Sequence, residues 1–305
     1  MKIRCLGPNL KGRDFVCGDI HGSFSCVARF MMEVKFNKDV DRLICAGDIV
    51  DRGPQSVECL FLLNQPWFIC AKGNHEQLME EYFLHGDGEV WSWNGGQWAF
   101  KYVHGYDELS QKVISVVRDV VTELPFIITV EKKDGSLFHV LHAELPHQAG
   151  KVTDEQLAND DEFEKLLSYN RDSGEMSIIW SRHIFYQMFN QQLSDTMVRK
   201  IKRTAMLKKL NATFNENLSP IYSGHTIIQR PVRFFGQTNL DTCAYGSYMT
   251  HPSAWMGLTV TEPETDRFWL VNEREFKEVT PLVIQDLNAE QDTLFNTEFP
   301  SDEIK

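Results

Sequence analysis

Three short stretches of the chain, Gly18-Asp19-Ile20-His21-Gly22, Gly47-Asp48-Ile49-Val50-Asp51-Arg52-Gly53 and Gly73-Asn74-His75-Glu76, gather carboxylate, imidazole, amide and guanidinium groups. Mixed oxygen and nitrogen donors of this kind suit Mn²⁺, Fe or Zn²⁺, and two such ions about 3.5–4 Å apart are the usual device for hydrolysing phosphate esters. Asp48, in the middle stretch, is placed to bridge two ions, with Asp19 and His21 on one side and Asn74 on the other. His142 and His225 each close a run of strand-forming residues and are candidates to complete the shell of the second ion.

Positioning these groups requires a repeated element. Each cluster follows a short apolar run rich in strand formers (Phe15-Val16-Cys17, Leu43-Ile44-Cys45-Ala46 and Trp67-Phe68-Ile69-Cys70-Ala71) and precedes a helical pattern. The first helix carries Phe24, Val27, Ala28, Met31 and Val34 behind Ser23 as a cap, and the second starts at Pro54 and runs through Val57, Leu60, Phe61 and Leu63. The third runs through Leu78, Met79 and Tyr82. This reads as βαβαβ, with the polar clusters at the carboxyl ends of strands, where open α/β sheets bind ligands.

Further on come a Trp/Gly-rich stretch from Trp91 to Trp98, a helix near 107–123, and a hairpin over 126–130 and 137–141 turned at Asp134-Gly135. Residues 147–220 read as a mostly helical elaboration: 147–176 are polar and acidic, and 184–210 are amphipathic. Ile221-Tyr222-Ser223 then leads to Gly224-His225, and short strands are expected near 232–235, 256–260 and 268–271. The expected organisation is one α/β domain over 1–275 and an acidic C-terminal extension over 276–305.

With 31 Lys+Arg against 43 Asp+Glu the formal charge is −12, which argues against nucleic acid or an anionic membrane as the partner. An anionic substrate then needs local positive charge from arginine or metal. The seven cysteines show no C-x-x-C spacing, so neither a disulfide framework nor a structural zinc site is expected. Neither a signal peptide nor a membrane span is legible, so the expected location is the cytoplasm, that of the host if the chain is phage-encoded. The oligomeric state is not legible.

GDIHG (18–22), GDIVDRG (47–53) and GNHE (73–76), in this order and spacing, resemble the signature of the PPP family of metal-dependent serine/threonine phosphatases. VECLFLLNQPWFICAKGNHEQLM (57–79), WNGGQW (93–98), ELPFII (123–128) and LHAELP (141–146) are similar to its lambda-type branch of bacteriophage and bacterial enzymes, and the likeness resumes at IIWSR (178–182), SGHT (223–226) and DT (241–242). The resemblance implies a calcineurin-like fold, a central β-sandwich flanked by helices with a dinuclear metal site at the strand ends. It implies that Asp19 and His21 bind one ion, that Asp48 bridges, and that Asn74, His142 and His225 hold the other, with Mn²⁺ the expected metal. It further implies that Arg52 and Arg182 grip the phosphate, that His75 oriented by Asp51 is the general acid, and that a metal-bridging hydroxide attacks phosphorus in line. The implied substrate is a phosphorylated protein or peptide, phosphoserine or phosphothreonine first and phosphotyrosine in addition.

Two competing functions follow from the same residues. Dinucleoside polyphosphates or cyclic phosphodiesters are alternative substrates, although relatives specialised for symmetrical dinucleoside tetraphosphates usually carry alanine where Asp51 stands. A catalytically inactive binding module is disfavoured because every implied ligand, the acid pair and both arginines are present. Cys17, Cys45 and Cys70 lie inside apolar runs and read as small core residues. His85, His104, His139, His147, His183 and His251 lack neighbouring ligands and read as structural or surface groups. The basic run from Arg199 to Lys209 reads as a solvated helix face.

Overall fold

The computed structural model describes residues 2–145, 152–168, 178–182, 215–234 and 236–284. In chain order its elements are β1 (Ile3–Leu6), β2 (Asp14–Cys17), α1 (Phe24–Glu33), β3 (Arg42–Cys45), α2 (Ser56–Leu60), β4 (Phe68–Cys70) and α3 (Asn74–His85). Then follow α4 (Glu89–Trp93), α5 (Phe100–Val103), α6 (Glu108–Asp119), β5 (Ile127–Glu131), β6 (Leu137–Leu141) and α7 (Asp160–Ser168). The last are β7 (Ile221–Ser223), β8 (Val232–Phe234), β9 (Gln237–Asn239), β10 (Leu258–Glu262), β11 (Arg267–Val271), β12 (Phe276–Val279) and β13 (Leu282–Ile284).

Alternation along β2, β3 and β4 sorts their side chains into two layers. Phe15, Cys17, Leu43, Cys45, Phe68 and Cys70 face outward and are buried among residues of α1, α2, α3 and α6. Val16, Ile44 and Ile69 face inward and meet Ile128, Val130, Phe138, Val140 and Tyr222 of a second sheet. The result is a β-sandwich with helices outside it. One sheet has the order β12-β11-β10-β2-β3-β4, the other β1-β5-β6-β7-β9-β8-β13. The outer face of the second sheet, through Ile127, Leu141 and Ile221, is covered by Val152, Leu157, Phe163 and Ile178.

The expected βαβαβ unit is present, with β2, β3 and β4 parallel and Cys17, Cys45 and Cys70 side by side, each buried and unoxidised. Its details differ in three places. Ser23 precedes α1 but caps nothing; its hydroxyl turns to the His21 carbonyl at 3.4 Å. The second helix starts at Ser56 rather than Pro54 and gives way after Leu60 to a 3₁₀ turn over Phe61–Asn64. Four strands, β1, β9, β12 and β13, were not expected; β12 pairs with β11 and β13 with β8, so residues 276–284 belong to the sheets. The amphipathic stretch 184–210, the basic run within it, His147, His183 and the acidic tail after 284 lie outside the described residues. Among the described residues no helix is long and apolar enough to cross a membrane.

Candidate active site

β2, β3 and β4 end level with one another, so Asp19, Asp48 and Asn74 leave neighbouring strands at one edge. In the facing sheet β6, β7 and β9 are parallel, and deliver His142, His225 and Asp241 to the same edge. The two sets are tied by hydrogen bonds: both carboxylate oxygens of Asp19 accept the His225 N–H at 3.0 Å, and His142 Nδ1 lies 3.1 Å from the Ala46 carbonyl. Gly224 permits this approach, since a Cβ there would sit 1.8 Å from Asp19 Oδ1.

Carbonyl groups fix the imidazole tautomers, because a carbonyl can only accept. His21 Nδ1 faces the Val50 carbonyl at 2.8 Å, His142 Nδ1 that of Ala46, and His225 Nε2 that of Trp180 at 3.1 Å. Assigned in this way, each ring turns its other nitrogen inward. His142 Nε2 then faces Asn74 Oδ1 at 2.9 Å, His225 Nδ1 at 3.1 Å and Asp48 Oδ2 at 3.3 Å. His21 Nε2 lies 3.6 Å from Asp48 Oδ2 and 3.9 Å from Asp19 Oδ2. Lone pairs converging from these six side chains repel one another unless a cation sits among them, so the donor set fits divalent metal.

Asp48 is central to both groups. Its Oδ1 accepts the His75 N–H at 2.9 Å, which aims Oδ2 at the imidazoles. His21, Asp48 and His75 form one set of donors within 4.8 Å of one another, and Asp48, His142 and His225 form a second. Burial would raise the Asp48 carboxyl, but the imidazoles of His142, His75 and His21 hold it well below the usual range. Burial together with the charges of Asp241 and Asp48 pushes Asp19 well above that range. Burial, then Arg52 for His21 and His142 for His225, keeps these two rings well below the ordinary imidazole value, in the neutral form that binds metal.

The backbone is strained here. His21, Asp48, Asp51, Arg52 and His225 all adopt positive φ, between 43° and 72°, a conformation costing a non-glycine residue about 1–2 kcal/mol. Surrounding structure must over-determine such a geometry for it to persist. Main-chain bonds do so: the Ile20 and His21 N–H groups donate to the Asp48 carbonyl, and Glu76, wholly buried, accepts from the N–H groups of Asp48, Ile49 and Gly73 at 2.7, 2.9 and 2.9 Å.

His75 has one nitrogen on each side of the chemistry. Its Nδ1 lies 2.6 Å from Asp51 Oδ2, and its Nε2 accepts from Arg52 Nη2 at 3.1 Å. Arg52 also donates to His21 Nε2 at 2.8 Å, so the guanidinium spans both rings. Arg182 is half-buried, close enough for its charge to act on His225 and Asp241.

Three groups at the site had no assigned role in the sequence reading: Glu76, Asp241 and Tyr245. The Tyr245 ring stands edge-on to His21 at 5.5 Å, with Arg52 Cζ 5.3 Å from its centre. Among the described residues, Asp241 Oδ2 and the Tyr245 hydroxyl are the buried side-chain polar atoms without a hydrogen-bond partner. Glu76 and Asp241 lay inside quoted motifs and were findable; Tyr245 had no such signal. The other described histidines do not join the site: His85, His104 and His251 are exposed and His139 is buried elsewhere.

Comparison with known proteins identifies the family. Serine/threonine-protein phosphatase 2 of Escherichia coli K12 is 39% identical over 132 residues, 43% of this chain and 58% of the relative. Serine/threonine-protein phosphatase 2 of Salmonella typhimurium LT2 is 29% identical over 255 residues, 79% of this chain and 92% of the relative. A solved structure described as a candidate diadenosine tetraphosphatase shares the fold, with a TM-score of 0.53 and 16% identity, covering 90% of this chain and 99% of that one. The calcineurin-like phosphoesterase family matches residues 15–229, which hold every metal-ligand candidate, both arginines and the Asp51–His75 pair, and the chain belongs to that family of metallophosphoesterases.

Proposed function

We propose that this phosphoesterase is a phosphomonoesterase acting on phosphoserine and phosphothreonine in proteins, and that it works in the cytoplasm. The observation that carries the reading is the buried Asp51–His75 pair at 2.6 Å, with His75 Nε2 beside Arg52. A serine or threonine alkoxide is a very basic leaving group and needs a proton as it departs, whereas a nucleotide phosphate leaves without one. A built acid therefore suits an alkyl phosphate.

In this reading Asp19, His21 and Asp48 hold one divalent ion, and Asp48, Asn74, His142 and His225 hold the other, Mn²⁺ being the expected metal. When bound, the pair supplies positive charge against the phosphate and a nucleophile drawn from water. Arg52 and Arg182 bind the phosphoryl oxygens through planar forks that match them two at a time. Asp51 accepts from Nδ1 of His75 and thereby presents Nε2 to the departing oxygen; once Arg52 turns to the phosphoryl oxygens, Nε2 no longer accepts from the guanidinium, takes up a proton from water, and delivers it to the departing oxygen. The test is a substrate panel with Mn²⁺: phosphoserine, phosphothreonine and phosphotyrosine peptides beside a dinucleoside tetraphosphate. Turnover of the first two supports the reading, and turnover of the dinucleotide alone sinks it.

A further inference from the structure

The Trp/Gly-rich stretch brings two indole N–H groups to the carboxylate of Asp51. Trp91 on α4 donates its indole N–H to Asp51 Oδ2 at 2.6 Å, and Trp98, in a 3₁₀ turn over Gly96–Ala99, donates to Asp51 Oδ1 at 2.6 Å. With His75 Nδ1, also 2.6 Å from Oδ2, three N–H donors converge on one fully buried carboxylate. Trp93, between them in sequence, is 74% exposed, so the inward turn belongs to two of the three indoles. Trp91 is itself wholly buried against Tyr82, Phe83 and Phe100, and Gly96 lies flush on its indole, where a Cβ would come within 2.3 Å of the ring. Trp98 packs against Trp91 and Tyr102, so both indoles are held by packing as well as by their bonds.

We propose that Trp91 and Trp98 are positioning residues that act on the reaction through Asp51. An indole nitrogen is a donor only, so it cannot rotate to offer an acceptor, and the roles around the carboxylate admit a single arrangement. The donors are also neutral. They fix the plane of the carboxylate without cancelling its charge, which stays available to His75; a lysine or arginine in their place would take that charge away. Without them the carboxylate can swing toward the neighbouring guanidinium of Arg52, freeing His75 and occupying the phosphate fork together. Whether His75 is a leaving-group acid rests on the phosphomonoesterase reading; the clamp on Asp51 does not.

Trp98→Phe, at a half-buried position, removes the N–H and keeps most of the ring. It should slow phosphoserine-peptide turnover about tenfold, as loss of an outer partner in a metal site does, with p-nitrophenyl phosphate turnover, KM and bound Mn²⁺ little changed. In an Asp51→Asn background the same substitution should cost nothing further. Equal losses on both substrates, or additive losses in the double variant, would show that the indole only packs and overturn the proposal. A readout independent of activity covers an unstable Trp91→Phe and an inactive wild type alike. In ¹H–¹⁵N spectra, Asp51→Asn should move the indole N–H signals of Trp91 and Trp98 and leave that of Trp93 in place. Three unmoved signals would refute the clamp even in an active enzyme. No phosphomonoester turnover by wild-type protein, with two signals moved, would refute the functional reading and leave the clamp standing.

Discussion

Two histidines three positions apart, His139 within β6 and His142 just beyond it, are both wholly buried, yet their surroundings are opposite in kind. His139 Nδ1 lies 2.9 Å from the Thr129 hydroxyl, which itself donates to the Leu157 carbonyl, and His139 Nε2 lies 3.1 Å from Asp154 Oδ1. Each nitrogen faces a protein partner of its own, so neither is turned toward an open site. His142 spends one nitrogen on a carbonyl and turns the other toward an amide oxygen, a carboxylate and a second imidazole. Burial therefore does not separate a ligand candidate from a core residue; whether each ring nitrogen has its own protein partner, or one is crowded among several ligand-type groups, does.

The sharpest way to break this comparison is to remove the centre of one side. Asp48→Asn should lose bound metal and activity together, by more than about 100-fold, the upper figure for losing even an outer partner of a metal. Metal analysis beside turnover checks it, and near-normal activity with two bound ions would refute the bridging role. His142→Ala should likewise release metal. His139→Ala should retain metal and activity while losing about 1–3 kcal/mol of stability by urea unfolding, the range for a broken buried network. Metal loss from the His139 variant would erase the distinction.

His75 is the intermediate case, with one nitrogen on a carboxylate like His139 and the other facing the site like His142. His75→Asn should slow phosphoserine-peptide hydrolysis by about 10²–10⁴-fold, the contribution of a positioned acid. It should slow p-nitrophenyl phosphate distinctly less, because p-nitrophenolate departs without a proton. Equal losses with metal retained would mean that the ring serves something other than the leaving group.

The same contrast explains what was legible in the sequence. Around β2, β3 and β4 each ligand candidate lies within a few residues of its strand and its helix, so local pattern was enough to place Asp19, Asp48 and Asn74. His142 and His225 come from strands far apart in the chain, and strand-end position alone would not have separated His142 from a core histidine; motif likeness did. β9 escaped because its sequence, Gln237-Thr238-Asn239, is polar and offers no apolar alternation. It is buried because partners satisfy it: Gln237 Nε2 donates to the Ala143 carbonyl and Asn239 Nδ2 to that of Thr226. Ser23 failed as a cap because its hydroxyl is drawn to His21, whose backbone the site has already bent. The indole bonds to Asp51 depend on side-chain direction in three dimensions, which composition and spacing do not encode.

The smallest predicted effect lies on the His139 side and concerns acid. Burial would raise the Asp154 carboxyl, but His139, with the Ser219 N–H at 2.9 Å and its hydroxyl at 2.7 Å, brings it down to about 2. An unfolded aspartate titrates near about 3.9. A carboxyl whose folded value is the lower one contributes stability that is fully present above the unfolded value and disappears as pH falls toward the folded one. Asp154→Asn keeps one oxygen to accept from His139 and the Ser219 N–H, turns the other into an amide that the Ser219 hydroxyl can accept from, and removes the charge. Because the side chain is 31% exposed, water screens much of the interaction, and the variant should lose no more than about 1 kcal/mol at neutral pH. That difference from wild type should shrink below about pH 4 and close near pH 2, measured by urea unfolding of metal-free protein across that range so that acid release of the ions does not enter. A difference independent of pH would mean that the Asp154 charge is not engaged, and that His139 is held by shape and neutral hydrogen bonds alone.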